Sequence, residues 1–400
     1  MAKKTLGDID VANKRVLVRV DFNVPLNDQQ QITDDTRIRA ALPTIRRLLD
    51  GGASVVLMSH LGRPKGQRRA EMSLAPVASH LSGLLGLPIA MAPDCIGEVV
   101  LEQATQLQAG QIMLLENLRF HAEEEGNDEA FARSLGALGD VFVNDAFGAA
   151  HRGHASTEGI THHVSEAVSG LLMEKEIAYL DEALKNPARP FVAILGGAKI
   201  SGKIEVIENL LDKVDALIIG GGMSYTFFKA MGLEIGTSLL EEDRIEVAKD
   251  LLTRCQEHGV ELLLPVDLVI ADRFAEDAQT QVVVREGMLA EWEGVDIGPE
   301  TRRIYSEKIA KAGTVVWNGP LGVFEMPPFA EGTLAVAQAL AAATDKGAIS
   351  IIGGGDTAAA ITQMGLAGQM THISTGGGAS LECMGGRVLP GVVALSDKEN

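Results

Sequence analysis

The chain repeats one unit: a short run rich in Val, Ile and Leu ends in polar or glycine residues and leads into a helix-patterned stretch. Apolar runs without alternation suit strands buried on both faces, as in parallel sheets covered by helices. The first half supplies Arg15–Phe22, Ala53–His60, Pro88–Asp94, Gln111–Asn117 and Asp140–Phe147. The second supplies Phe191–Gly197, Ala216–Gly222, Glu261–Asp267, Thr314–Gly319, Ala348–Asp356 and Thr371–Gly378. Helical patterning over Thr36–Asp50, Ile204–Lys213 and Glu241–His258 completes βαβ units. Eleven strands exceed one ordinary sheet, and 400 residues suit two domains. The expected fold class is α/β: two doubly wound, Rossmann-like parallel-sheet domains joined by a helical hinge, with a substrate cleft between them. Met173–Leu180 reads as a helix that Asn186-Pro187 stops, which places the hinge at 171–188 between domains at 1–170 and 189–388.

A chain that is 46% hydrophobic and 22% charged is globular in composition, which excludes disorder and small disulfide scaffolds. No apolar run approaches the roughly 18 residues of a membrane span, and Met1–Thr5 leads into no signal-peptide core. Cys95, Cys255 and Cys383 are widely spaced and odd in number, so a reduced, cytoplasmic setting without structural zinc is expected. The net charge of −19 argues against nucleic acid, whose phosphates need a basic face. Its distribution is uneven: 16 basic and 20 acidic residues lie within 1–160, and 19 and 34 beyond. Seven of the nine histidines also precede residue 164, so a small-anion site belongs in the first third.

Ligands of parallel sheets bind at the carboxyl ends of the strands. In the first half those ends carry Arg19, Asp21 and Asn23, then His60 and Arg63, then Arg119 and His121, then His151, Arg152 and His154; Arg37 opens the helix after Asp34-Asp35. Arginines at several equivalent strand exits suit a small, multiply charged anion, because the guanidinium fork grips phosphate and carboxylate oxygens in pairs. His151 and His154 could also be read as a metal pair, with Asp145 nearby, but a third ligand at helical spacing is missing and Arg152 intervenes.

The second half ends its strands in glycine: Gly196-Gly197, Gly220–Gly222, Gly353–Gly355 and Gly376–Gly378. Such turns let backbone N–H groups and helix N-termini approach phosphate. Gly197–Ile204 fits GxxxxGK, but Ile204 replaces the Ser/Thr that would hold Mg²⁺, so it reads as a phosphate-contacting loop rather than a standard P-loop. Gly353–Ala358 fits GxGxxA, yet the first acidic candidate, Glu382, is misplaced for a dinucleotide ribose. Asp356 reads better as a Mg²⁺-side carboxylate or a helix N-cap. An anion site in one lobe and a nucleotide site in the other suit phosphoryl transfer.

Arg19–Pro25 (RVDFNVP), Ser59–Pro64 (SHLGRP), Glu116–Phe120 (ENLRF) and Asn144–Phe147 (NDAF) resemble the phosphoglycerate kinase family. So do Leu195–Lys199 (LGGAK), Trp317–Pro320 (WNGP), Gly353–Thr357 (GGGDT) and Ser374–Gly378 (STGGG), in order along nearly the whole chain. The resemblance implies reversible phosphoryl transfer between ATP and the carboxylate of 3-phosphoglycerate, giving ADP and 1,3-bisphosphoglycerate, by a monomer that uses Mg²⁺ with the nucleotide. It implies that Asp21, Asn23, Arg37, His60, Arg63, Arg119 and Arg152 hold phosphoglycerate. Arg37, Lys199, Lys203, Gly376 and Gly377 would act on the transferring group. Lys203, Gly221, Gly222, Gly298, Asn318, Glu325, Gly354, Gly355, Asp356 and Thr357 would bind nucleotide, with Glu325 at the ribose and Asp356 toward Mg²⁺. The family also returns its chain end to the first lobe, so residues 389–400 should pack there. Gly202 and Gly153 depart from the usual family residues, which affects only local loop flexibility. The rival readings are a dinucleotide-dependent oxidoreductase and a catalytically inactive two-lobed binding protein for phosphorylated acids and nucleotide.

Overall fold

The structure is a computed structural model, and it describes residues 2–398; Met1 of the first domain and residues 399–400 of the returning segment lie outside the described residues. The chain divides into two compact units, Met1–Ile177 with Val388–Asn400, and Ala178–Arg387.

The first unit holds six strands, β1 (Arg15–Arg19), β2 (Ser54–Met58), β3 (Ile89–Met91), β4 (Ile112–Leu114), β5 (Val141–Asn144) and β6 (Ala167–Ser169), in the order β3-β4-β2-β1-β5-β6. Every pairing is parallel. Val16, Leu17 and Val18 of β1 and all of β2's central residues are fully buried, as their Val/Leu runs require. The helix Thr36–Asp50 buries Ile38, Ala41, Ile45 and Leu48, a three-and-four spacing that lays one apolar stripe on the sheet. Truncating Ile45 or Leu48 to Ala there costs about 2–5 kcal/mol. The returning segment completes this unit. Lys4 N donates to Ser396 O at 2.8 Å, Ser396 N to Ala167 O at 2.8 Å, and Asn144 Nδ2 to Gly391 O at 3.0 Å. Leu395 sits buried in the cluster that contains Leu17 and Phe142.

The helix Leu171–Lys185 stops before Asn186-Pro187, and the boundary between the units falls within it. Its first turn is capped from the first unit, where Asp145 Oδ1 accepts from Leu172 N at 2.9 Å and Met173 N at 3.2 Å.

The second unit contains β7 (Phe191–Leu195), β8 (Ala216–Ile219), β9 (Glu261–Leu263), β10 (Asp267–Ala271), β11 (Thr280–Val284), β12 (Glu293–Ile297), β13 (Thr314–Asn318), β14 (Ile349–Gly353) and β15 (His372–Ile373). Six form a second parallel sheet, β15-β14-β13-β7-β8-β9, over a core that includes the fully buried Trp317. The other three form an antiparallel sheet, β11-β10-β12, which departs from the purely parallel expectation. The run Glu261–Asp267 accordingly breaks after Leu263, and a new strand starts at Asp267. β11 lies at the sheet edge with Val282 and Val284 exposed, so its residues show no burial pattern from which a strand could be read.

Candidate functional site

In the first unit, the register sets Arg19 opposite both Met58 and Asn144, so β1, β2 and β5 end level. The predicted residues follow those ends. Arg37 Nη1 donates to Asn23 O at 3.0 Å and lies 3.3 Å from Asp21 Oδ2. Asn23 Oδ1 accepts from Gly62 N at 2.8 Å, and Arg119 Nη1 donates to Gly62 O at 3.1 Å. Gly62 therefore ties the loops after β1, β2 and β4 together. Asn117 braces them from behind: Nδ2 donates to Leu61 O at 2.7 Å and Met72 O at 2.9 Å, while Oδ1 accepts from Leu61 N and Arg119 N. Arg63 and Arg152 are exposed, and their side chains make no hydrogen bond or ion pair among the described residues.

The cluster is short of negative charge. Arg119 forms an ion pair with Glu125, at 3.5 Å, and burial pushes its guanidinium down despite the offsetting charges of Glu125, Glu124 and Asp21. Burial and then the charges of Arg19, Arg119, Arg37 and His154 hold His60 well below the usual imidazole range. Such a site is prepared for an anion, which would compensate these groups.

A buried layer lies beneath. Arg19 is fully buried and donates from Nε to Ser156 Oγ at 2.8 Å, from Nη1 to Val20 O, and from Nη2 to His60 Nδ1 at 3.0 Å. Ser156 in turn donates to Glu124, from Oγ to Oε1 at 2.6 Å and from N to Oε2 at 3.0 Å. Sequence reading missed Glu124 and Ser156, because Glu123-Glu124-Glu125 looks like an ordinary solvated acidic run. Asp145 spends one carboxylate oxygen on the helix cap described above, and burial pushes its pKa up to about 6; among the described residues it does not cluster with His151 and His154 as a metal-type grouping. The metal-type grouping among the described residues is instead Asp94, Cys95 and His121, where Asp94 Oδ1 is closed by a 2.7 Å contact to His121 Nε2.

In the second unit, Leu195, Asn318 and Gly353 stand opposite one another at the carboxyl ends of β7, β13 and β14. The glycine turns converge there. Gly196 N donates to Asn318 O at 3.0 Å, Gly197 N to Pro320 O at 2.8 Å, and Gly221 N to Leu321 O at 3.1 Å. Thr357 Oγ1 accepts from Gly319 N at 2.7 Å. Gly354 has a φ of +88°, which a side chain would strain, and it directs the helix Gly355–Gln363 out of β14. The helix Gly377–Met384 starts beside it, and a Cβ on Gly377 would come within 2.9 Å of Gly355 N. Two helix N-termini thus meet in one place, which is suited to phosphate.

Lys203 Nζ donates to Asn318 Oδ1, and burial pushes the amine down to about 8, against the pull of the Asp356 charge. Asn318 Nδ2 is buried without a hydrogen-bond partner among the described residues and faces Gly353 and Gly354. A buried donor left unpaired costs about 1–3 kcal/mol, so an acceptor arriving at these glycines would be stabilised. Lys199 is exposed on a loop anchored by Ser201 N donating to Glu241 Oε2 at 3.0 Å. Asp356 and Glu325 are exposed, and Gly222 opens the helix Met223–Ala230. Gly298 has a packing reason of its own: a Cβ there would strike the Asp267 carboxyl group at 2.3 Å, and that carboxylate caps the helix Pro299–Ile309 through Glu300 N and Thr301 N.

A cavity of about 720 Å³ beside Arg189, Asp212, Asp215, His258, Glu261 and Lys308 lies at the opposite, amino ends of β7, β8 and β9. Its charges are already paired, Arg189 with Asp215 at 2.9 Å, His258 with Asp212 at 2.7 Å, and Lys308 with Glu261. Size does not select it.

The phosphoglycerate kinase family profile matches residues 6–387. A phosphoglycerate kinase of Chloroherpeton thalassium is 59% identical over 397 residues, 99% of this chain and 100% of that one, and one of Chlorobium phaeobacteroides is 58% identical with the same coverage. Among solved structures, phosphoglycerate kinase from Coxiella burnetii superposes with a TM-score of 0.88 at 42% identity, and that from Pyrococcus horikoshii with 0.85 at 34%, each covering 98% of both chains. The convergent phosphate-type loops, the anion-ready arginines and these full-length matches agree: the chain belongs to the phosphoglycerate kinase family.

Proposed function

We propose that this chain transfers a phosphoryl group reversibly between ATP and the carboxylate of 3-phosphoglycerate, giving ADP and 1,3-bisphosphoglycerate. The observation that carries the reading is the Asn318–Lys203 pair with its unpartnered amide aimed at the Gly353–Gly355 turn, in a chain that separately builds an under-compensated arginine cluster. Asp21, Asn23, Arg37, His60, Arg63, Arg119 and Arg152 hold phosphoglycerate in this reading. Gly221, Gly222, Gly298 and Glu325 serve the adenosine side, and Gly354, Gly355, Asp356 and Thr357 the nucleotide phosphates.

The attacking group is a carboxylate, already ionised at neutral pH, so the site needs no general base. What it needs is charge stabilisation on the moving group, supplied by Arg37, Lys199, Lys203 and the amides at Gly376 and Gly377. Direct in-line transfer requires the two ligands to meet, which we assign to closure of the two lobes. Asp356 fits a Mg²⁺ carried by the nucleotide: it is an exposed carboxylate in a helix first turn with no hydrogen bond or ion pair among the described residues. When bound, the ion neutralises nucleotide phosphate charge. We place the protein in the cytoplasm as a monomer without nucleic-acid or membrane partners; its net charge of −19 opposes phosphate backbones, and no helix among the described residues is long and apolar enough to cross a membrane.

The test is ADP formation by purified protein with ATP, Mg²⁺ and 3-phosphoglycerate, with the bisphosphoglycerate removed by a coupled NADH-consuming dehydrogenase. Turnover that needs all three components is expected. Binding of both ligands without turnover would instead establish the inactive two-site reading.

A further inference from the structure

His60 has a partner that decides its chemical form. A guanidinium carries donors and no acceptor. Arg19 Nη2 lies 3.0 Å from His60 Nδ1, so that nitrogen must offer a lone pair. The imidazole is then neutral, with its proton on Nε2, for which the described residues supply no partner. Arg19 is held in this orientation: it is fully buried, and Ser156 Oγ and Val20 O accept from its Nε and Nη1. Its buried charge is balanced by the equally buried Glu124 through Ser156.

We propose that Arg19 is a positioning residue that locks His60 as the neutral Nε2–H tautomer, making His60 a directed hydrogen-bond donor to the bound anion and not a further positive charge. The proposal rests on the assignment of His60 to the phosphoglycerate site. The charged and titratable groups that face the ring, Arg19, Arg37, Arg119 and His154, all oppose a second proton on it. An imidazolium would add repulsion to a cluster already short of anions. A fixed N–H adds direction at no such cost.

The decisive measurement is ¹⁵N NMR of the labelled full-length protein, with His60 assigned through His60→Gln. An unprotonated Nδ1 and a protonated Nε2 that persist across the neutral pH range are expected. A proton on Nδ1, or an imidazolium at neutral pH, overturns the proposal without recourse to any Arg19 variant, including one that fails to fold. In folded Arg19→Met, both tautomers should appear and the KM for 3-phosphoglycerate should rise about tenfold, the worth of one hydrogen bond to a charged partner. The KM for ATP should not move, and Arg19→Lys should restore part of the loss. Equal weakening of both substrates, or an unchanged His60 tautomer in Arg19→Met, refutes the positioning role. If His60→Gln leaves the phosphoglycerate KM unchanged, the site assignment itself fails. If His60→Gln raises that KM while wild-type His60 carries its proton on Nδ1, only the role of Arg19 fails.

Discussion

Replacing Arg119 with Met separates what the arginine does for the fold from what it does for the ligand. The methionine keeps an unbranched stem in a buried position, so packing changes little. The fold loses the 3.1 Å hydrogen bond to Gly62 O, worth about 1 kcal/mol. Glu125, the ion-pair partner, is about half exposed at 48% and returns to solvent, while the buried Glu124 loses one favourable charge but keeps Arg19 and its hydrogen bonds from Ser156. The desolvation that pushes the guanidinium down is also relieved, which offsets part of that loss. Net destabilisation should therefore be about 1 kcal/mol or less, read from urea unfolding. The ligand loses far more. One charge-assisted contact to a phosphate or carboxylate is worth about 1.5–3 kcal/mol, so the KM for 3-phosphoglycerate should rise roughly 10- to 100-fold, with that for ATP unchanged. Steady-state kinetics with each substrate varied in turn measures both. An unchanged phosphoglycerate KM would remove Arg119 from the site, and equal loss for both substrates would show general damage.

The remaining predictions use the second unit. With its pKa at about 8, Lys203 is a cation below that pH, so kcat/KM for the nucleotide should fall as pH rises through about 8. Lys203→Arg should move that limb beyond the measurable range, and a flat wild-type profile would contradict the assignment. Gly377→Ala puts a Cβ 2.9 Å from Gly355 N, so the KM for ATP should rise about tenfold or more while that for phosphoglycerate holds; equal affinity for ATP would mean that the two helix starts need not approach. Asp296 is buried and its pKa is raised from 3.8 to about 7, so between those values the folded state binds the extra proton and stability falls as pH rises, by up to about 4 kcal/mol. Asp296→Asn should lower stability, since Gly332 N loses its acceptor, yet flatten that slope in chemical denaturation; an unaltered slope refutes the attribution.

All eleven apolar runs became strands: the inner strands bury both faces and leave continuous Val/Ile/Leu in the chain, while β3 and β9 sit half-exposed at sheet edges. β6 and the antiparallel sheet were not legible. β6 is only Ala167–Ser169, and Thr280–Val284 sits exposed at an edge where neither face demands a pattern. The strand-end arginines and glycine turns could be read because the chemistry they suggest is carried by residue type. The Glu124–Ser156–Arg19–His60 chain could not, because its members come from segments up to 137 positions apart and are meaningful only once folded. Gly298 shows the converse, a glycine whose small size is already used by the Asp267 carboxylate.

The return of residues 388–398 to the first unit has a consequence for biosynthesis. The second unit is one uninterrupted stretch, Ala178–Arg387, whereas the first needs the last residues to leave the ribosome before Leu395 can fill its core and Ser396 can bridge Lys4 and Ala167. Translation from the N-terminus usually lets the leading domain fold first. Here the leading domain is the one that must wait, holding Leu17 and Phe142 beside an unfilled gap while the later-made unit completes itself. A nascent chain stalled before residue 388 should therefore carry a protease-resistant second unit behind a protease-sensitive first one.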